Sequence, residues 1–151
     1  MGVEHGELIV VDEATHTDEA VVSFLRDRGY DVLIIPTEAG CLHRIRESRP
    51  DLVLLSLTHD AIDSLSLLQE TRNIDPDLPV VVLSDAAHAD QIVPLLKAGA
   101  NDYLMLPVPD LALVNHVVHE TIRGKQETRH RKQIERDLEK RNRLLLDNLK
   151  L

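Results

Sequence analysis

Five short apolar runs decide what this chain can fold into: "ELIVV" (7–11), "DVLII" (31–35), "DLVLLS" (51–56), "PVVVL" (79–83) and "NDYLML" (101–106). Each is Leu-rich or β-branched and continuous rather than alternating, the pattern of strands buried on both faces. Helical spacing fills the gaps. Val21, Val22 and Leu25 follow Asp18 and run to Gly29 at a helix C-terminus; Ile62, Leu65 and Leu68 make one stripe; Ile92, Leu95 and Leu96 precede Gly99. Strand–helix alternation of this kind predicts a (βα)5 unit, an α/β fold with right-handed crossovers and a parallel sheet. Ligands of such sheets sit beyond the carboxyl ends of the strands, which directs attention to the residues after Val11, Leu55, Leu83 and Leu106.

Composition agrees with that class. Aromatics are 2% of the 151 residues, so the core must be built of Val, Leu, Ile and Ala. No run reaches the roughly 18 apolar residues of a membrane span, and no basic region precedes the first short apolar run. One cysteine, Cys41, leaves neither a disulfide framework nor a thiol metal set. These features predict a cytoplasmic protein.

Net charge −9 hides an asymmetry: residues 1–122 hold 7 basic and 21 acidic side chains, whereas residues 123–151 hold 10 basic and 5 acidic. The sign change at Arg123 and Gly124 predicts two units, a body over 1–122 and a helical linker over 123–151. An acidic body repels phosphates and argues against nucleic acid as its partner. In the tail, Ile134, Leu138, Leu145 and either Asn148 or Leu149 follow 4-3-4-3 spacing with Arg141 interrupting, which predicts a short dimeric coiled coil. Since these apolar residues cannot pack on the body if the helix projects from it, a partner helix is the economical solution. Pro94 predicts that the helix after the fourth strand starts late, near Val93, or kinks there. The chain stops in mid-helix, the expectation for a piece of a longer signalling protein.

The strand ends carry an ordered set of motifs. "VVDEA" places Asp12 and Glu13 after the first strand, "PDLVLLSLTHDAIDS" ends the third at Ser56, "VVVLSDAA" ends the fourth at Ser84, and "LLKAGANDYLMLPV" carries Tyr103, Leu106 and Pro107. Together, over residues 7 to about 120, these resemble the receiver domain of bacterial response regulators. The resemblance implies a flavodoxin-like doubly wound sheet of five parallel strands, order 2-1-3-4-5, here with an extended C-terminal helix. It also implies a chemistry: an acid pair and an acceptor Asp hold Mg²⁺, the acceptor takes a phosphoryl group, and a Lys from the fifth strand balances the charge. A Ser or Thr ending the fourth strand then couples the site to an aromatic on the fifth.

Position by position, this chain keeps Asp12, Glu13, Ser84, the switch aromatic Tyr103 and Pro107, whose preceding peptide is often cis in the family. It has Ser56 in place of the acceptor and Leu106 in place of the Lys; Asp60 replaces the Pro of the following loop, and Ser64 replaces the Gly after Asp63. The expectation is a degenerate receiver, or pseudo-receiver: not an enzyme, without a required cofactor, forming a homodimer through its C-terminal helix and regulating an output domain. Mg²⁺ on Asp12 and Glu13 is the one metal candidate. His116 and His119, three apart, lack a completing ligand in the pattern. The alternatives are a phosphorylated receiver with a non-standard acceptor, and a flavodoxin-like ligand-binding domain. Against a non-standard acceptor, a Ser56 alcohol needs an activating base, and Asp60 lies four residues away from the acceptor position. Against a flavodoxin-like domain stands the lack of a Gly-rich phosphate loop after the first strand.

Overall fold

The computed structural model describes residues 6–12, 19–57 and 62–149, with side chains of the last helix described to Asp147. The elements alternate as the apolar runs require: β1 (Glu7–Val11), α1 (Glu19–Asp27), β2 (Asp31–Ile35), α2 (Glu38–Ser48), β3 (Leu52–Ser56), α3 (Ser64–Ile74), β4 (Val80–Ser84), α4 (Ile92–Lys97), β5 (Asp102–Met105) and α5 (Leu111–Leu149). All strand pairs are parallel, in the order β2-β1-β3-β4-β5. The fold is the flavodoxin-like one that the resemblance implied.

Side-chain alternation along the strands sorts the interior into two layers. Ile9, Val11, Val53, Leu55, Val80 and Val82 face α2, α3 and α4, packing on Leu42, Ile45, Leu67 and Leu95. Leu8, Val10, Leu52, Leu54, Val81 and Leu83 face α1 and α5, packing on Val21, Leu25, Val114 and Val118. Leu54 is fully buried at the centre of this second layer, between Val10 and Val81 in register. Truncating it leaves a cavity that β-sheet neighbours cannot collapse into, so Leu54→Ala should cost about 2–5 kcal/mol in urea unfolding.

Burial on both faces holds for β1, β3 and β4 but not at the margins. Leu33 and Ile34 of β2, and Tyr103 and Met105 of β5, remain more than a third exposed. Edge strands have a neighbour on one side only, and the covering helices lie over the middle of the sheet.

Local signals set the helix ends. Thr37 caps α2 by accepting from the Gly40 N–H at 3.0 Å, and Asp63 caps α3 by accepting from the Ser66 N–H at 3.1 Å. Gly29 (φ 99°) and Gly99 (φ 117°) take left-handed turns after α1 and α4. Pro94 is the third residue of α4, inside the first turn where its missing N–H costs nothing. Residues Ala86–Gln91 before it form a 3-10 segment instead, so the helix begins late as its proline requires.

Helix α5 is continuous over 39 residues, about 58 Å at the usual rise. Gly124 does not end it, so the change in charge at 123–124 marks no change in secondary structure. Past Ile122 the helix stays tied to the body by ion pairs. Lys125 and Arg129 approach Asp75 at 3.9 and 3.5 Å, and Lys132 donates to Asp77 at 2.7 Å. The Lys132 ammonium holds the Asp77 carboxyl below the usual carboxylate range. With a depressed folded-state value, this contribution is complete above about pH 4 and lost as pH falls through that value. Exposed pairs of this kind contribute little, so Asp77→Asn should lower amide protection over residues 125–132 by about two- to fivefold and leave β3 unchanged. Beyond the latch, Ile134, Leu138 and Leu145 are 47%, 54% and 61% exposed.

Candidate functional site

Strand register brings the predicted positions to one edge of the sheet. Val11 pairs with Leu55, so Asp12 lies level with Ser56; Ser56 pairs with Leu83 and Ser84 with Met105, so Ser84 and Leu106 continue the row. The row is stitched by backbone bonds: Asp12 N–H to Ile35 O at 3.1 Å, Leu57 N–H to Leu83 O at 2.7 Å, and Leu106 N–H to Ser84 O at 2.7 Å. Asp12, Ser56 and Ser84 are all buried, at 2%, 5% and 0% exposure.

Alternation separates their faces. Ser56 is in step with Leu52 and Leu54, on the α1/α5 side, whereas Ser84 is in step with Val80 and Val82, on the other. The Ser84 hydroxyl donates to the carbonyl of Asp85 at 2.8 Å. Leu106 turns inward and packs, with Val108 and Leu111, on the α1/α5 layer. The Leu106–Pro107 peptide is cis. Tyr103 lies 43% exposed on the edge strand.

Glu13 and Asp60 lie outside the described residues. Of the carboxylates named for the site, the described residues therefore supply Asp12, with an alcohol at Ser56 beside it. Mg²⁺ wants a near-octahedral shell of hard oxygens, usually anchored by carboxylates, of which Asp12 is one candidate donor. Among the described residues no group of three His, Cys, Asp or Glu side chains is placed to hold a metal, which includes His116 and His119. Burial pushes the Cys41 thiol up to about 12, so it is a core side chain rather than a nucleophile.

One pair at this edge escaped the sequence reading. Asp85, directly after Ser84, accepts from both the backbone N–H and ring Nδ1 of His88, at 3.0 and 2.6 Å. The His88 ring holds the Asp85 carboxyl below the usual range. The signal was present as an Asp three residues before a His, a helix N-cap pattern. Arg72 was missed too. From α3 it donates to Gly99 O at 2.6 Å, to Asn101 Oδ1 at 2.9 Å and to Leu78 O, tying α3 to the loops that precede β4 and β5.

Residues 8–118 match the model of the response regulator receiver domain. The transcriptional regulatory protein PrrA of Mycobacterium tuberculosis is 34% identical over 116 residues, covering 77% of this chain and 50% of PrrA. The DNA-binding response regulator MtrA of Mycobacterium leprae is 33% identical over 110 residues, 73% of this chain and 48% of MtrA. The chain thus spans about half the length of these curated relatives. Among solved structures, a CheY-like receiver domain protein from Methanospirillum hungatei superposes with TM-score 0.72 at 22% identity, over 83% of this chain and 99% of that one. NtrX from Brucella abortus gives TM-score 0.79 at 22% identity, over 87% of this chain and 30% of that one. No helix among the described residues is long and apolar enough to cross a membrane.

Proposed function

The chain belongs to the response regulator receiver family, and from that premise we propose a receiver that signals without phosphate. Residues 1–122 act as a protein-interaction body. Residues 123–151 act as a helix that dimerises and couples the body to an output domain of the same cytoplasmic protein. PrrA is named as a transcriptional regulatory protein and MtrA as a DNA-binding response regulator. A comparable output is in keeping with this chain, whose own acidic body is unsuited to DNA.

The observation that carries the reading is Leu106. At the position where the family has its cation, this chain places an apolar side chain and packs it into the α1/α5 layer. Such a side chain offers neither charge nor hydrogen bond to a phosphoryl oxygen. Ser56, buried at the acceptor position, is an alcohol rather than a carboxylate. The loss of both at one edge removes the reaction and the means of stabilising its product. Incubating the chain with acetyl phosphate and resolving it on a phosphate-affinity gel tests the reading: a retarded, acid-labile band would overturn it and establish an unrecognised acceptor.

A further inference from the structure

At the opposite end of the sheet from Ser56, the C-terminus of α2, the loop after α3 and the tail of α5 enclose a groove of about 390 Å³, lined by Ile45, Arg46, Arg49, Ile74, Asp75, Pro76 and Arg129. Three arginines from two separate elements line it together with one carboxylate, Asp75. Asp75 is engaged already, facing Arg129 at 3.5 Å and Lys125 at 3.9 Å. The side chains of Arg46 and Arg49 have no hydrogen bond or ion pair among the described residues, although the Arg49 backbone N–H donates to Ile45 O at 3.2 Å. Both residues line an opening at whose base Ile45 lies 1% exposed.

Arg49 adds a second observation. It ends α2 in the left-handed region (φ 49°, ψ 71°), and among the described residues no other non-glycine has positive φ. That position favours Gly, so an arginine is held there against its backbone preference, and it lines the groove.

We propose that this groove binds a small organic phosphate. Guanidinium forks match the oxygens of a phosphate monoester in paired hydrogen bonds, better than a lysine would. The volume exceeds what an inorganic ion fills and lies in the range of small-molecule sites. The Ile45 and Ile74 floor takes the apolar part of the ligand. The acidic body excludes an extended polyanion such as nucleic acid, because its field opposes every phosphate beyond the groove. A bound monoester would draw Arg129 from Asp75 and join α2 to the α5 tail. This site is independent of the chemistry at Ser56.

The test is calorimetric titration of the full 151-residue chain with phenyl phosphate and with inorganic phosphate, at low salt and about pH 8, where the monoester is a dianion. Phenyl phosphate should saturate and bind about tenfold more tightly than inorganic phosphate. Arg49→Gly should weaken it by about tenfold or more, and the variant folds because glycine suits that backbone. Asp75→Asn should tighten binding severalfold, since it removes the competing charge and keeps the oxygen that accepts from the Asp77 N–H at 3.0 Å. Arg143→Gln, the same charge loss in the far tail, should change nothing. Failure of phenyl phosphate to saturate by about 10 mM would sink the proposal. So would equal affinity for the two probes, or equal weakening by Arg143→Gln and Arg49→Gly, which would mark unspecific attraction.

Discussion

Wild-type chain incubated with acetyl phosphate and Mg²⁺ should carry no acid-labile phosphate, and two substitutions together should restore it. Formation of an acyl phosphate requires a carboxylate oxygen to attack phosphorus while the leaving group departs, with positive charge facing the equatorial oxygens. Ser56 removes the carboxylate, and Leu106 removes the facing cation. Ser56→Asp alone returns the nucleophile and a metal ligand next to buried Asp12. Two carboxylates buried side by side repel, so this variant should unfold at lower temperature in EDTA and be restored by Mg²⁺. The wild type should show no such Mg²⁺ dependence. Phosphorylation of the Ser56→Asp variant should remain roughly 10²–10³-fold below that of the double variant, the usual cost of one missing transition-state donor. Leu106→Lys alone should give nothing. Because Leu106 is half-buried, a lysine there can lay its stem along Val108 and Leu111 and bring its ammonium to the strand edge. Stoichiometric phosphate on the wild type, or none on the double variant, would each contradict the assignment of these two positions.

The residues that build this edge could be read from the chain because each stands just past a continuous apolar run. β1 and β2 have the bounds the runs predict. β3, β4 and β5 each start one residue later than their runs, after Asp51, Pro79 and Asn101. Those residues serve the joints instead: the Pro79 carbonyl accepts from Val53 N–H at 2.9 Å, and the Asn101 side chain accepts from Val80 N–H at 2.9 Å. Two properties were not legible. Exposure of Leu33, Ile34 and Tyr103 follows from a strand's place in the sheet, which its own residues do not encode. The Arg72 network, spanning α3 to Asn101, is long-range and its own segment does not encode it. Continuity of α5 through Gly124, by contrast, was legible as an extended C-terminal helix: a glycine costs a helix about 1 kcal/mol, and the strong helix formers after it offset that.

The full chain should be a dimer in sedimentation equilibrium, and truncation at Gly124 should make it monomeric. Once α5 passes the latch at Lys132, Ile134, Leu138 and Leu145 have only water or a second helix to meet. Burying each large aliphatic side chain contributes about 1.5–3 kcal/mol, and a parallel pair counts every position twice. Two features limit the strength. The seam is shorter than three or four clean heptads, and Arg141 falls in it, where two guanidinium groups would face one another. Dimerisation should therefore be modest and sensitive to single changes. Leu138→Asp places paired carboxylates in the seam and should abolish the dimer without altering the unfolding of the body, whose core lies in the two layers around the sheet. Arg141→Leu should act in the opposite sense, tightening association by about tenfold or more as it replaces repulsion with apolar contact. Opposed effects from two positions one turn apart are specific to a packed seam; a helix merely solvated by water would respond to neither. An unchanged dimer after truncation would instead place the interface on the body and take the tail out of the explanation.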